Sequence, residues 1–269
     1  MKYKIIVLDL DDTLLKSSGE ISENNKKALK MAQEKGIKVI LASGRPTFAM
    51  KSLANELELN KYGGYILSFN GSQIIDCKNN NVLFEVALEK QQIAELYEIS
   101  LNNNVFIHTY IGDEIVTPKN NEYTEIEKQI TGMPIKVCEN FIDILPEKCS
   151  KVILLEEPSY LKELEKNLMS FTNEKMTMSI TKPFFLEFMN KEVDKGKSLL
   201  KLCDILNINR EEVIAMGDSY NDISMLKVAG VSIAMENAVK EVKEIANFIT
   251  ETNENDGVAK AIEKYLGKY

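Results

Sequence analysis

The chain is 269 residues long, 44% hydrophobic and 28% charged, with a formal net charge of −8 and a pI near 5.0. That length allows one large domain or two modest ones, and the acidic balance argues against general binding to a nucleic-acid backbone. No apolar run approaches the ~18 residues that cross a bilayer, and the four apolar residues between Lys4 and Asp9 are too few for a signal-peptide core.

Neither a nucleic-acid nor a membrane partner is therefore expected. Cys77, Cys138, Cys149 and Cys203 are scattered with no Cys-x-x-Cys pair, which predicts buried, reduced thiols in a cytoplasmic protein. The single histidine, His108, lies in the apolar-leaning stretch Val105 to Tyr110 and reads as a strand residue before it reads as a catalyst.

Taken in chain order, Ile5-Ile6-Val7-Leu8 is a continuous apolar run with β-branched members, the pattern of a strand covered on both faces. Ser22 suits a helix N-cap, Ala28, Leu29, Met31 and Ala32 fall at helical spacing, and Gly36 supplies a stop. Val39-Ile40-Leu41 predicts a second strand, Pro46 to Leu59 a helix with proline at its first position, and Tyr65-Ile66-Leu67 a third strand.

Near residue 73 the rhythm changes. Gln73-Ile74-Ile75-Asp76 and Val82-Leu83-Phe84-Glu85 flank an Asn-rich stretch and predict a hairpin. Helices are expected over about 89–102 and 159–170, and strands over 105–110, 151–155, 176–180 and 184–188, the last two antiparallel around Lys182-Pro183. Strand–helix alternation then returns: a helix over 195–206, a strand over 213–216, a helix near 221–228, a strand over 231–234, and pieces at 238–245, 247–249 and 256–266. The first and third sections predict an α/β core, doubly wound (Rossmann-like) around a mainly parallel sheet, formed by 1–84 and 189–269. The middle section, 85–188, predicts an inserted α+β domain.

Four loops at predicted strand ends or helix starts carry chemistry, and in a parallel sheet such loops gather at one edge. Asp9-Leu10-Asp11-Asp12-Thr13 follows the first strand. Asp9 and Asp11 can face the same side at a two-residue repeat, where their repulsion calls for a hard cation such as Mg²⁺. One carboxylate can then attack phosphorus and the other move a proton, although Asp also suits a simple turn. In Ala42-Ser43-Gly44-Arg45-Pro46 the Ser43 hydroxyl and Gly44 N–H suit a phosphate cradle or, equally, a helix cap. In Asp194-Lys195-Gly196-Lys197, Lys195 opens a helix, where a cation gains nothing from the dipole unless it reaches an anion; Lys197 is its rival. Gly217-Asp218-Ser219-Tyr220-Asn221-Asp222 carries more acidic groups than a turn after an apolar strand requires and favours a metal site.

With Asp9-Leu10-Asp11-x-Thr13 and Gly217-Asp218-Ser219-x-Asn221-Asp222 as its most specific parts, the chain resembles the haloacid dehalogenase-like superfamily over its whole length, and within it the Cof-type phosphatases. The resemblance implies that Asp9 is the nucleophile and Asp11 the general acid, later base. It implies that Leu10, Ser43, Gly44, Lys195 and Asn221 hold the phosphoryl group, with Lys195 also counted as catalytic, and that Asp9, Asp11, Asp218 and Asp222 hold Mg²⁺. Many members have Gly where this chain has Asp12. The gap from Asp9 to Ser43 has no room for a cap domain, whereas the gap from Ser43 to Lys195 does, a placement that implies small phosphorylated metabolites.

The expected activity is therefore Mg²⁺-dependent hydrolysis of a sugar phosphate or phosphorylated cofactor through an aspartyl-phosphate, by a monomer or homodimer. A phosphomutase using the same intermediate and a non-catalytic phosphometabolite sensor are the alternatives. Specificity is expected in the cap and in Asn70-Gly71-Ser72, with His108, Tyr110 and Lys182 as candidate cap contacts that have structural readings as well.

Overall fold

A computed structural model describes residues 2–172 and 176–267. The chain forms two compact units, Met1–Phe84 with Asp194–Tyr269, and Glu85–Val193. The sequence reading closes the inserted segment at 188. The unit runs on to Val193 because the strand Phe185–Asn190 pairs along its whole length with Met176–Lys182, Met176 standing opposite Asn190.

In the first unit, the described residues form an eight-stranded sheet. From edge to edge it runs Phe248–Ile249, Val231–Ala234, Val213–Gly217, Ile5–Leu8, Lys38–Ala42, Tyr65–Ser68, Gln73–Asp76 and Asn81–Glu85. The first six pair in parallel, and Gln73–Asp76 runs antiparallel to its neighbour Tyr65–Ser68. Ile5, Ile6, Val7 and Leu8 are all fully buried, so helices cover both faces of the central strand, as the continuous apolar run predicts.

The helix Glu23–Glu34 starts where Ser22 accepts the Asn25 N–H and gives way to Gly36 at φ +83°. One expected helix differs. Pro46 is the extended residue before Thr47–Glu56 rather than its first helical residue, and Glu58 at φ +53° separates that helix from the short Leu59–Tyr62.

The sheet order puts Ile5–Leu8 between Val213–Gly217 and Lys38–Ala42, with Leu8 opposite both Met216 and Leu41. The chain direction of strand addition reverses at this point, so the loops opening at Asp9, Ser43 and Asp218 leave neighbouring strands at the same height. This is the crevice in which open α/β sheets bind ligands.

The second unit has a six-stranded sheet among the described residues, in the order Met176–Lys182, Phe185–Asn190, Val152–Leu155, Phe106–Ile111, Glu114–Thr117 and Ile135–Val137. Only the last pair is parallel. Ile93 and Leu96 of the helix Lys90–Asn102, and Leu161 and Leu164 of Pro158–Leu168, form its apolar core with Ile107, Val152, Leu154, Leu186 and Phe188.

Alternation along Phe106–Ile111 puts His108 and Tyr110 on the other face. There the Tyr110 hydroxyl donates to Glu127, on a helix Glu122–Thr131 that the sequence pattern does not predict. His108 is fully buried against Tyr110 and Phe185, a structural residue of this unit. All four cysteines are free thiols, three buried and Cys138 half-buried. Among the described residues, no helix is long and apolar enough to cross a membrane.

Candidate active site

Asp9 begins where the first strand stops. Its N–H still donates to the Met216 carbonyl at 3.0 Å, which fixes the residue in register with the neighbouring strand's end. Its side chain meets Lys195, the first residue of the helix Lys195–Leu206, whose N-cap Asp194 accepts the Lys197 N–H. Lys195 Nζ lies 2.6 Å from Asp9 Oδ1 and 2.6 Å from Asp222 Oδ1, and its side chain is fully buried. Lys197, two residues on, is exposed, so the helix start selects between the two rival lysines.

Asp222 uses its other oxygen, Oδ2, to accept the N–H groups of Asp218 and Ser219, both at 3.0 Å, and so shapes the loop that carries Asp218. Asp218 Oδ1 accepts the Thr13 hydroxyl at 2.8 Å, joining the first loop to the fourth. Ligand oxygens of Asp9, Asp218 and Asp222 all lie within 4.8 Å of one another.

Burial is the largest influence on Asp9. It holds that carboxyl well above the usual carboxylate range, against the pull of Lys195, and the charges of Asp222 and Asp218 push the same way. Burial also raises Asp218, to about 6, with the Thr13 hydroxyl opposing and Asp222 and Asp12 adding to it. For Lys195 burial alone would favour the neutral amine, but the two carboxylates outweigh it and hold the ammonium charged. Three buried carboxylates thus share one ammonium. Hard oxygen donors carrying excess negative charge are a donor set that Mg²⁺ fits.

Asp11 does not join this group. Its side chain is more than half exposed and is gripped by Arg45, with Nη2 2.6 Å from Oδ1 and Nε 3.0 Å from Oδ2. The sequence reading counts Asp11 among the metal-holding side chains. The guanidinium instead takes both its oxygens, and the three carboxylates whose oxygens cluster are Asp9, Asp218 and Asp222.

Leu10 is a core residue: its side chain is fully buried and its carbonyl accepts the Leu15 N–H. Asp12 sits at φ +59°, the conformation that Gly adopts freely and Asp tolerates better than most residues. Its carbonyl is held at 2.7 Å by the Asn237 amide.

Ser43 is buried and its hydroxyl accepts the Arg45 N–H at 3.2 Å within the turn, whereas the helix Thr47–Glu56 has Pro46 at its N-cap and no side-chain cap, so Ser43 does not cap it. Gly44 lies against Asn70, whose Oδ1 accepts from Asn221 Nδ2 at 3.0 Å. Arg45 and Thr13 are the participants that sequence reasoning left without roles, and Asn70, expected to serve specificity, stands against Gly44 and Asn221. Arg45 and Thr13 stand inside the motif stretches themselves, but Arg45 lies far from Asp11 in the chain and nothing beside it signals the partner.

A family model for haloacid dehalogenase-like hydrolases matches residues 6–262. The chain is 34% identical over 269 residues to YxeH of Bacillus subtilis (strain 168), covering 98% of each chain. It is also 34% identical over 266 residues to the 5-amino-6-(5-phospho-D-ribitylamino)uracil phosphatase YcsE of that organism, covering 98% of this chain and 96% of the other. A crystal structure of a haloacid dehalogenase-like hydrolase from Bacteroides thetaiotaomicron superposes with a TM-score of 0.93 at 41% identity, covering 97% of this chain and 99% of the other. The chain belongs to the haloacid dehalogenase-like hydrolases, as a phosphatase of that family.

Proposed function

We propose that the chain is a Mg²⁺-dependent phosphatase of small phosphorylated metabolites that transfers the phosphoryl group to Asp9 and then to water. The observation that carries this reading is the Lys195 ammonium set 2.6 Å from both Asp9 and Asp222 in a buried pocket of carboxylates that also contains Asp218.

An Asp9 oxygen attacks phosphorus as the ester P–O bond breaks, and Asp11 gives its proton to the leaving oxygen. Asp11, now ionised, takes a proton from water as the water oxygen attacks the same phosphorus and releases Asp9. Arg45 keeps the Asp11 carboxyl in one orientation through both steps. Lys195 faces the charge that builds on the phosphoryl oxygens, with the Leu10 N–H, the Ser43–Gly44 turn and Asn221 as further donors. Mg²⁺, held by Asp9 and Asp218 with Asp222 behind them, would supply the positive charge that lets an anionic nucleophile approach an anionic ester.

The substrate class is a phosphomonoester on a polyhydroxy chain or ring, a sugar phosphate or a phosphorylated cofactor precursor. The name of YcsE, a phosphatase of a phosphoribityl compound, supports it. A panel of such esters, with an aryl phosphate as reference and free phosphate as readout, tests the reading. Turnover should need Mg²⁺, stop with chelator, and disappear in a folded Asp9→Asn variant. No phosphate from any ester, or release unchanged by chelator, would overturn it.

A further inference from the structure

The loop Phe69–Gly71 is built at a conformational cost. Phe69, Asn70 and Gly71 all have positive φ, at 49°, 56° and 90°. Asn tolerates that region and Gly adopts it freely, but an aromatic residue there is uncommon and persists only where surrounding contacts hold it.

Those contacts reach three of the four loops described above. Phe69 N–H donates to the Arg45 carbonyl at 2.9 Å and Asn70 N–H to the Ser43 carbonyl at 2.8 Å, which fixes the Ser43–Gly44 turn from below. The Gly71 carbonyl accepts the Ser198 hydroxyl, one turn into the helix that Lys195 opens. A Cβ on Gly71 would stand 2.8 Å from that hydroxyl, so the approach needs glycine. The Asn70 side chain completes the set. Its Oδ1 accepts from Asn221 Nδ2 at 3.0 Å, while its amide packs against Gly44 so closely that a Cβ there would lie 3.3 Å away.

An exposed amide such as Asn221 has two rotational choices that present opposite polarity to an anion. Asn70 removes the choice. By accepting one Nδ2 hydrogen it fixes which end is the donor and leaves the second hydrogen of the same nitrogen for a phosphoryl oxygen.

We infer that Asn70 is a positioning residue for the phosphoryl group, orienting the Asn221 amide as a donor. This rests on the function proposed above, and it adds a residue that acts through Asn221 and not on the substrate's reacting atoms.

The test is inorganic phosphate binding to the Mg²⁺-loaded full chain, measured by calorimetry, so that turnover is not needed for a reading. Asn70→Gly removes the side chain while keeping the left-handed backbone, which separates the amide's role from backbone strain. Phosphate affinity should fall about tenfold in Asn70→Gly and by a similar factor in Asn221→Ala. The double variant should bind no more weakly than Asn221→Ala alone, since the two residues act as one unit. In turnover assays Asn70→Asp, which keeps the acceptor oxygen but faces the anion with a charge, should raise KM more than it lowers kcat. Wild-type affinity in Asn70→Gly, or losses that multiply in the double variant, would overturn the positioning role. A wild-type chain that binds no phosphate at all would instead contradict the function on which the inference rests.

Discussion

Arg45 holds Asp11 from the next strand's loop with both arms of its guanidinium, Nη2 at 2.6 Å and Nε at 3.0 Å. The pair sits half in solvent, where such bridges contribute roughly 0–1 kcal/mol to stability. Its value is therefore geometric. Arg45→Ala should unfold at nearly the wild-type denaturant midpoint but lose about ten- to a hundredfold in kcat, part of what a general acid contributes. The loss should be larger for an alkyl phosphate, whose leaving oxygen needs a proton, than for a nitrophenyl phosphate. Arg45→Lys should fall in between, because a single ammonium cannot reproduce the fork. Parallel kcat measurements on the two esters check this.

Lys195 compensates two buried carboxylates at once. Removing it leaves both without their counter-charge, a loss of roughly 3–5 kcal/mol for a broken buried pair. Lys195→Ala should accordingly melt well below wild type without a divalent cation, regain part of the difference with Mg²⁺, and turn over at least about a hundredfold more slowly. Lys197→Ala, at an exposed position on the same turn, should stay within about 0.5 kcal/mol of wild type and keep its activity. A thermal melt with and without Mg²⁺, beside a rate assay, separates the two lysines.

Gly217 has no space for a side chain. A Cβ there would stand 2.6 Å from the Asp222 Cβ and 2.7 Å from its carboxyl carbon and Oδ2. Gly217→Ala should therefore push Asp222 off the Asp218 and Ser219 N–H groups and off Lys195. A destabilisation of about 1–3 kcal/mol is expected from the overpacking, together with a loss of activity larger than that stability change explains. Unfolding curves and kcat on the same preparation provide the comparison.

What could be read from the sequence, and what could not, follows from the range of the interaction. Ile5–Leu8 and Val213–Gly217 announce themselves because a strand buried on both faces has no polar positions, and Asp9 and Asp218 are conspicuous where those runs stop. The resemblance to a known family then supplies roles that spacing leaves open. The Arg45–Asp11 grip and the Asn70–Asn221 contact join residues distant in sequence and become visible only once the order of strands is known. The helix Glu122–Thr131 escaped for a different reason. Its buried positions are Thr124, Glu127 and Thr131, so it shows no apolar stripe, although Asn121 capping the Thr124 N–H and Gly132 at φ +72° mark its ends.

His108 is buried with Nδ1 3.4 Å from the Thr124 hydroxyl, and burial, helped by the charge on Lys151, pushes its pKa down to about 3 from an ordinary 6.5. Between those values the unfolded chain carries a proton that the folded chain refuses. Stability is thus full above about pH 6.5 and falls as pH drops toward 3, by about 1.4 kcal/mol per unit for this one proton. His108→Phe should remove that part of the slope. Urea unfolding at about pH 7 and pH 5 should show wild type losing more stability than the variant, and equal losses would place the proton elsewhere.

The most direct test of the account asks where the phosphoryl group goes. Wild-type chain mixed with Mg²⁺ and a substrate labelled in its phosphoryl group, quenched in acid within a turnover and digested, should carry the label on the peptide containing Asp9. Asp9→Asn should carry none and release no phosphate. A label on another residue, or phosphate release by Asp9→Asn at the wild-type rate, would contradict the account.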